Sequence, residues 1–173
     1  EGNLKFSKKM DDWGIKEPSW SNGSVTADLD NDGDLDLVVS NVDEKAFLYR
    51  NDLKGNNYLR IKLDGPESNK FGLGAKVEVY LGEEKLIEQF KTVRGYQSSV
   101  EPILHFGCGQ KKNVDSVKVF WTDGKMSQMG TVKTNQLLTI AYRDSKNSNV
   151  STAKATALFI ERTNELISPV FTH

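Results

Sequence analysis

The residues with the clearest chemical intent lie in TADLDNDGDLDLVV, positions 26–39, where five aspartates fall in nine places: Asp28, Asp30, Asp32, Asp34 and Asp36. Carboxylates this close repel one another, so the stretch is either an exposed acidic turn or a pre-built cage for a cation. Their alternation favours the cage. A hard cation such as Ca²⁺ takes about six to eight oxygens at roughly 2.3–2.6 Å, so a loop coiling around it must offer oxygens at alternate positions. Asp28, Asp30 and Asp32 do this with side chains, and Gly33 permits the sharp turn that follows. Asp34 contributes its backbone carbonyl, its side chain being left to solvent, and Asp36 closes the cage at the ninth position, directly or through a water. An EF-hand is excluded, because Val39 stands where that loop needs a bidentate Glu and because LDLVV reads as a strand, not a helix. The five aspartates are the predicted metal residues and calcium the predicted ion.

Other constellations carry weaker chemistry. FGLGAK (71–76) and FGCGQKK (106–112) are Gly-rich and run into Lys, but Walker spacing is absent and no helix follows, so they read as bends in a β-domain. His105 and Cys108 invite a thiol–base reading, yet ILHFGCG alternates like a strand and no third orienting residue is evident. Two His and one Cys leave too few ligands for a zinc site. RGYQSS (94–99) is a polar loop whose Arg and Tyr suit a sugar or peptide contact or simply support the next strand, while Trp121 alternates with Val117 and Val119 as a core residue would. Asn22 and Asn149 head glycosylation sequons, relevant only in a eukaryotic secretory host.

The elements that must position the acidic loop are strands. LDLVVS (35–40) and AFLYR (46–50) are short runs rich in β-branched and aromatic residues. NYLRIKLDG (57–65) alternates, with Leu59, Ile61 and Leu63 on one face and Arg60 and Lys62 on the other. Val77, Val79 and Leu81 repeat the pattern before a hairpin turn at GEE (82–84), and DSVKVFWTDGK and NQLLTIAYR continue the series. Helix is confined to a turn in SKKMDDWGI (7–15). The polar stretch NDLKGNN (51–57) separates two regions, and RDSKNSNVSTAKAT (143–156) reads as a linker.

A content of 37% hydrophobic and 27% charged residues over 173 positions is too apolar for a disordered chain, and a net charge of -1 offers no basic face for nucleic acid. No apolar run reaches membrane-spanning length. The single Cys108 rules out an internal disulfide framework. The opening Glu1 is expected to mark a mature or excised fragment.

With its flanks, SNGSVTADLDNDGDLDLVVSN…AFLYRND resembles an FG-GAP (VCBS-type) repeat, one blade of an integrin-α-like propeller, in which a calcium loop joins two strands. NNYLRIKLDG, SNKFGLGAKVEVY, RGYQSS, LHFGCG, VDSVKVFWTDGK and TNQLLTI, in that order, resemble the ASPIC/UnbV domain over about residues 57–140. Cys108, in HFGCG, and WTDG depart mildly from that pattern, and ALFIERTNELISPVFTH is similar to the strand that opens a following propeller segment. Together these resemblances imply an all-β fold, one propeller-type blade with a calcium loop plus a β-sandwich-like domain, as a fragment of a larger protein. The expected division is 1–52 for the calcium-binding repeat, 57–142 for the ASPIC/UnbV-like domain, 143–156 for the linker and 157–173 for the truncated segment. The implied function is a non-catalytic, calcium-binding adhesion or ligand-binding module in which calcium is structural, extracellular or at the cell surface. Its expected partners are an unidentified protein or glycan and the rest of its own chain, with no nucleic acid and no membrane span. A carbohydrate-binding module or part of a polysaccharide-acting enzyme is the alternative.

Overall fold

The structure is a computed structural model that describes residues 6–148, nearly all of them in strands and the turns between them. Residues 149–173, including Asn149, most of the expected linker and the expected following segment, lie outside the described residues. Near the start, Met10–Gly14 make a hydrogen-bonded turn, with the Trp13 amide donating to the Lys9 carbonyl at 3.0 Å.

Three strands come first: β1 (Ser21–Ala27), β2 (Asp36–Asn41) and β3 (Phe47–Tyr49), antiparallel and in that order. The acidic loop is the connection between β1 and β2. Val25 pairs with Val38 and Val38 with Leu48, so these residues share a face that is only half-buried to exposed. A three-stranded sheet with so little apolar burial cannot be held by its own hydrophobic contacts.

Ten further strands follow: β4 (Asn57–Asp64), β5 (Lys76–Leu81), β6 (Glu84–Gln89), β7 (Leu104–Gly109), β8 (Asn113–Val114), β9 (Ser116–Phe120), β10 (Lys125–Met129), β11 (Val132–Lys133), β12 (Gln136–Ala141) and β13 (Lys146–Asn147). One five-stranded sheet runs β13-β10-β9-β5-β6, a three-stranded sheet runs β12-β4-β7, and β8 pairs with β11. β12 lies parallel to β4, with Leu138 opposite Ile61. Parallel strands need a long crossover, and here four strands of the five-stranded sheet, β5, β6, β9 and β10, are built within it.

The alternation read from the sequence is obeyed. Leu59, Ile61 and Leu63 from β4, Val77, Val79 and Leu81 from β5, and Val117, Val119 and Trp121 in and after β9 join one buried cluster with Leu104, Phe106 and Cys108 of β7. Each such side chain contributes about 1.5–3 kcal/mol by leaving water. Trp121 donates its indole N–H to Ser127 Oγ at 2.9 Å, which satisfies its polar end inside the core.

The short strands β8, β11 and β13, and the polar β10, were not anticipated, because two-residue pairs and KMSQM carry no apolar period. β13 pairs with β10 through Lys125–Asn147 and Met126–Lys146, so the polar segment from 143 onward begins inside the sheet. The consequence for the site is the exposed side of β12-β4-β7. Its inner face is core; its outer face carries Tyr58, Arg60 and His105, and against it sits the acidic loop.

Candidate cation site

Backbone turns bring the alternating carboxylates together. Oxygens of Asp28, Asp30 and Asp32 lie within 4.8 Å of one another. Asp28 is the buried member: its side chain is 1% exposed, and its Oδ2 accepts a hydrogen bond from Arg60 Nη1 at 3.0 Å. Its Oδ1 is sealed from solvent and has no hydrogen-bond partner. A buried carboxylate oxygen left unanswered is costly, about 1–3 kcal/mol or more. Asp30 and Asp32 are exposed.

Asp36 lies outside this cluster. It is buried, and both of its oxygens accept backbone amides, Oδ2 from Leu29 at 3.0 Å and Oδ1 from Asn51 at 2.8 Å. It thereby stitches the beginning of the loop to the exit of β3. Each of its oxygens keeps a second lone pair. Asp34 donates its amide to Asp32 Oδ1 at 3.1 Å. Its side chain, expected in solvent, is instead half-buried, with Oδ1 sealed and unpartnered.

The titration of the loop records this crowding. Withdrawal from water, contact with the Asp32 carboxylate and the charges of Asp32, Asp36 and Asp30 push Asp34 up to about 6. Loss of surrounding water and then the Asp32 charge raise Asp30. Asp32 is lowered, chiefly by the Asp34 amide. Without a cation, the loop holds more negative charge than its own donors answer.

The β-domain builds the other wall. His105 Nε2 lies 2.9 Å from the Gly33 carbonyl, and since a carbonyl only accepts, Nε2 carries the proton. The Tyr58 ring stacks on His105 at 5.7 Å and 15°. Gly33 has φ +97, and a Cβ built there would stand 1.8 Å from a Tyr58 ring carbon. Gly33 is therefore required twice, for its backbone conformation and for the closeness of Tyr58. Arg60 and His105 are neighbours across the β4–β7 pair. Sequence reasoning placed Arg60 on a strand's polar face and His105 within an alternating strand, but strand alternation cannot tell what covers an outward face.

The remaining expectations find clear places. His105 and Cys108 project from opposite faces of β7, His105 toward the loop and Cys108 into the core, where burial raises its thiol. The two form no dyad. FGLGAK leads straight into β5 and FGCG belongs to β7, so neither Gly-rich stretch opens a helix. Trp121 is core, whereas Tyr96 is 64% and Trp20 81% exposed.

Residues 65–147 match the family described as ASPIC and UnbV. That region of the chain is similar to ASPIC/UnbV domains. The matched region begins just after β4, yet β4 supplies the central strand of β12-β4-β7 and three residues of the same buried cluster. Relatives extend beyond the domain. The chain is 33% identical over 138 residues to Cartilage acidic protein 1 of Mus musculus, covering 76% of this chain and 21% of that protein. It is 35% identical over 127 residues to the Homo sapiens protein of that name, covering 69% and 19%. For Xenopus tropicalis the values are 32% over 146 residues, 79% and 22%. The chain thus spans about a fifth of the length of the curated relatives it matches. Among the described residues, no helix is long and apolar enough to cross a membrane.

Proposed function

We propose that the chain is a non-catalytic, calcium-binding module of an extracellular or cell-surface adhesion or ligand-binding protein. In this reading residues 1–52 act as an FG-GAP (VCBS-type) propeller repeat that holds a structural ion beside the ASPIC/UnbV domain. The observation that carries it is the buried Asp28 carboxylate, whose Oδ1 is sealed and unpartnered and which offers an oxygen within 4.8 Å of oxygens of Asp30 and Asp32. A carboxylate donor set of this kind suits a hard divalent cation better than a soft one.

Asp28, Asp30 and Asp32 would hold the ion; Asp34, with its sealed oxygen, and Asp36 stand beside them in the same loop. Asp36 also keeps the loop closed through Leu29 and Asn51, and Gly33 lets Tyr58 cover the turn. The ion supplies charge neutralisation. Extracellular modules bind calcium at roughly 10⁻⁴–10⁻³ M, so even a weak site would be filled outside cells. That the named relatives are cartilage proteins supports the same compartment.

The surface that would meet a ligand is the cleft between β1 and the β-domain, a cavity of about 410 Å³ reached by Thr26, Leu35, Glu88, Arg94 and Glu101. A glycan is a second ligand class, favoured by the exposed ring of Tyr96 beside a neighbouring cleft that Gly23 and Ser24 also line.

The test is a thermal melt in excess EGTA, then across a calcium titration with magnesium as control. At a hundredfold excess over Kd, binding to the native state alone adds about 2.7 kcal/mol. A calcium-specific rise that Asp30→Ala abolishes is the expected result. A melting temperature indifferent to calcium, in a chain that melts cooperatively, removes the calcium reading.

A further inference from the structure

Among the described residues, Arg60 is the one cation paired with the buried member of the acidic cluster. Its Nη1 lies 3.0 Å from Asp28 Oδ2 and its Nη2 3.0 Å from Glu101 Oε1, so a single guanidinium joins a carboxylate of the acidic loop to one of the β-domain. The three members differ in exposure: Asp28 is 1%, Arg60 15% and Glu101 37% exposed at the side chain. A charge as secluded as Asp28 persists only with a partner. Arg60 answers one of its oxygens and leaves the other unanswered, in a carboxylate grouped with those of Asp30 and Asp32.

We propose that Arg60 is a resident counter-cation of the acidic loop, which holds Asp28 in the absence of metal and sets how tightly the loop takes a divalent ion. The inference rests on the calcium reading above and adds to it a residue from outside the loop. Arg60 and an incoming cation would share one carboxylate from its two sides. Like charges so placed oppose each other in a region of few water molecules, so each weakens the other's hold. Such coupling is reciprocal: if Arg60 lowers the affinity for the ion, the ion lowers the grip of Arg60 on Asp28 by the same factor. Glu101 is the other half of the device. It competes with Asp28 for the same guanidinium, and it is sufficiently exposed to take Arg60 when the ion claims Asp28.

Arg60 acts here through Asp28, as a positioning residue, and general damage to the fold is distinguishable from that role by its direction. The experiment is calorimetric titration of the 173-residue chain with calcium chloride, magnesium as control, alongside melts in EGTA. Arg60→Met leaves Asp28 with no cation, so its melt in EGTA falls while calcium binding tightens about tenfold, the scale of removing one opposing charge at close range. Arg60→Lys keeps the charge and stays close to the wild-type affinity. Glu101→Gln releases Arg60 wholly to Asp28 and weakens calcium binding. Tighter binding cannot come from a disturbed fold.

Unchanged or weaker calcium binding by Arg60→Met overturns the inference while leaving the calcium site intact. Should Arg60→Met fail to fold, Glu101→Gln decides alone: weaker binding supports the device, unchanged or tighter binding overturns it. A wild-type chain that takes up no calcium removes both readings together.

Discussion

Before residue 57 the buried side chains among the described residues belong to Asp28 and Asp36; after it they are, Glu78 and Ser127 apart, an apolar set running from Leu59 to Ile140. The two regions solve the same problem with different interactions. The β-domain excludes water from Val, Leu, Ile and Phe side chains, a contribution that needs no partner and no ion. The N-terminal sheet has no such core, and its order depends on how fully two secluded carboxylates are answered. The β-domain has a buried carboxylate as well, and it shows the contrast most sharply. Glu78 accepts a hydrogen bond from the Tyr80 hydroxyl at 2.6 Å and pairs with Lys76 at 3.0 Å, and these partners, the hydroxyl first, hold it below its ordinary range. Asp28 has Arg60 on one oxygen and nothing on the other. A satisfied buried acid is a finished structural part, whereas a half-satisfied one carries an uncompensated cost of leaving water.

The largest effect is expected from the apolar side. Ile61→Ala removes a fully buried side chain at the centre of β12-β4-β7 and should cost about 2–5 kcal/mol in urea unfolding. That loss should be the same in EGTA and in calcium. A calcium-dependent loss would show that the two regions do not store stability separately.

Gly33→Ala probes the seam between them. The added Cβ meets the Tyr58 ring and the backbone has φ +97, so a cost of about 1–3 kcal/mol is expected. Its signature is regional: hydrogen exchange should quicken in the acidic loop and around Tyr58 and His105, and stay slow at Val79 and Val119. Uniform quickening would mean that the loop and the core form one cooperative unit.

The smallest effect is a slope with pH. Asp34 stands at about 6 in the folded, metal-free loop against an ordinary 3.8. Between those values the folded chain binds more protons than the unfolded one, so its contribution to stability is greatest at low pH and is lost as pH rises from about 4 to 6. Melts in EGTA should show this decline, Asp34→Asn should flatten it, and calcium should remove it by answering the charge. A flat profile in EGTA for the parent chain would show that Asp34 is not under strain from its neighbours.

Much of the fold was legible because strand alternation is a local signal. Leu59, Ile61 and Leu63, then Val77, Val79 and Leu81, then Val117, Val119 and Trp121 face inward as their period of two requires. The acidic loop was legible for a similar reason: Asp at alternate places with Gly33 at the sixth describes a single turn of chain. Neither reading depended on distant residues. The site's other wall did. Arg60, Tyr58 and His105 sit on the outward face of β4 and β7, where alternation says only that a residue is not in the core. Asp34 failed in the same way, because its seclusion comes from neighbours and not from its own type.

By itself, then, the amino-acid sequence determined which residues are apolar at period two and which carboxylates are crowded into one turn, since both follow from local spacing. Only the tertiary structure decided that Arg60 meets Asp28 across 32 positions of chain, that His105 caps the Gly33 carbonyl across 72, and that Asp28 keeps one oxygen unanswered. Those outcomes depend on which faces of separate sheets come together. Burial and long-range pairing are properties of packed surfaces, and no local pattern of residues encodes which surface will cover another.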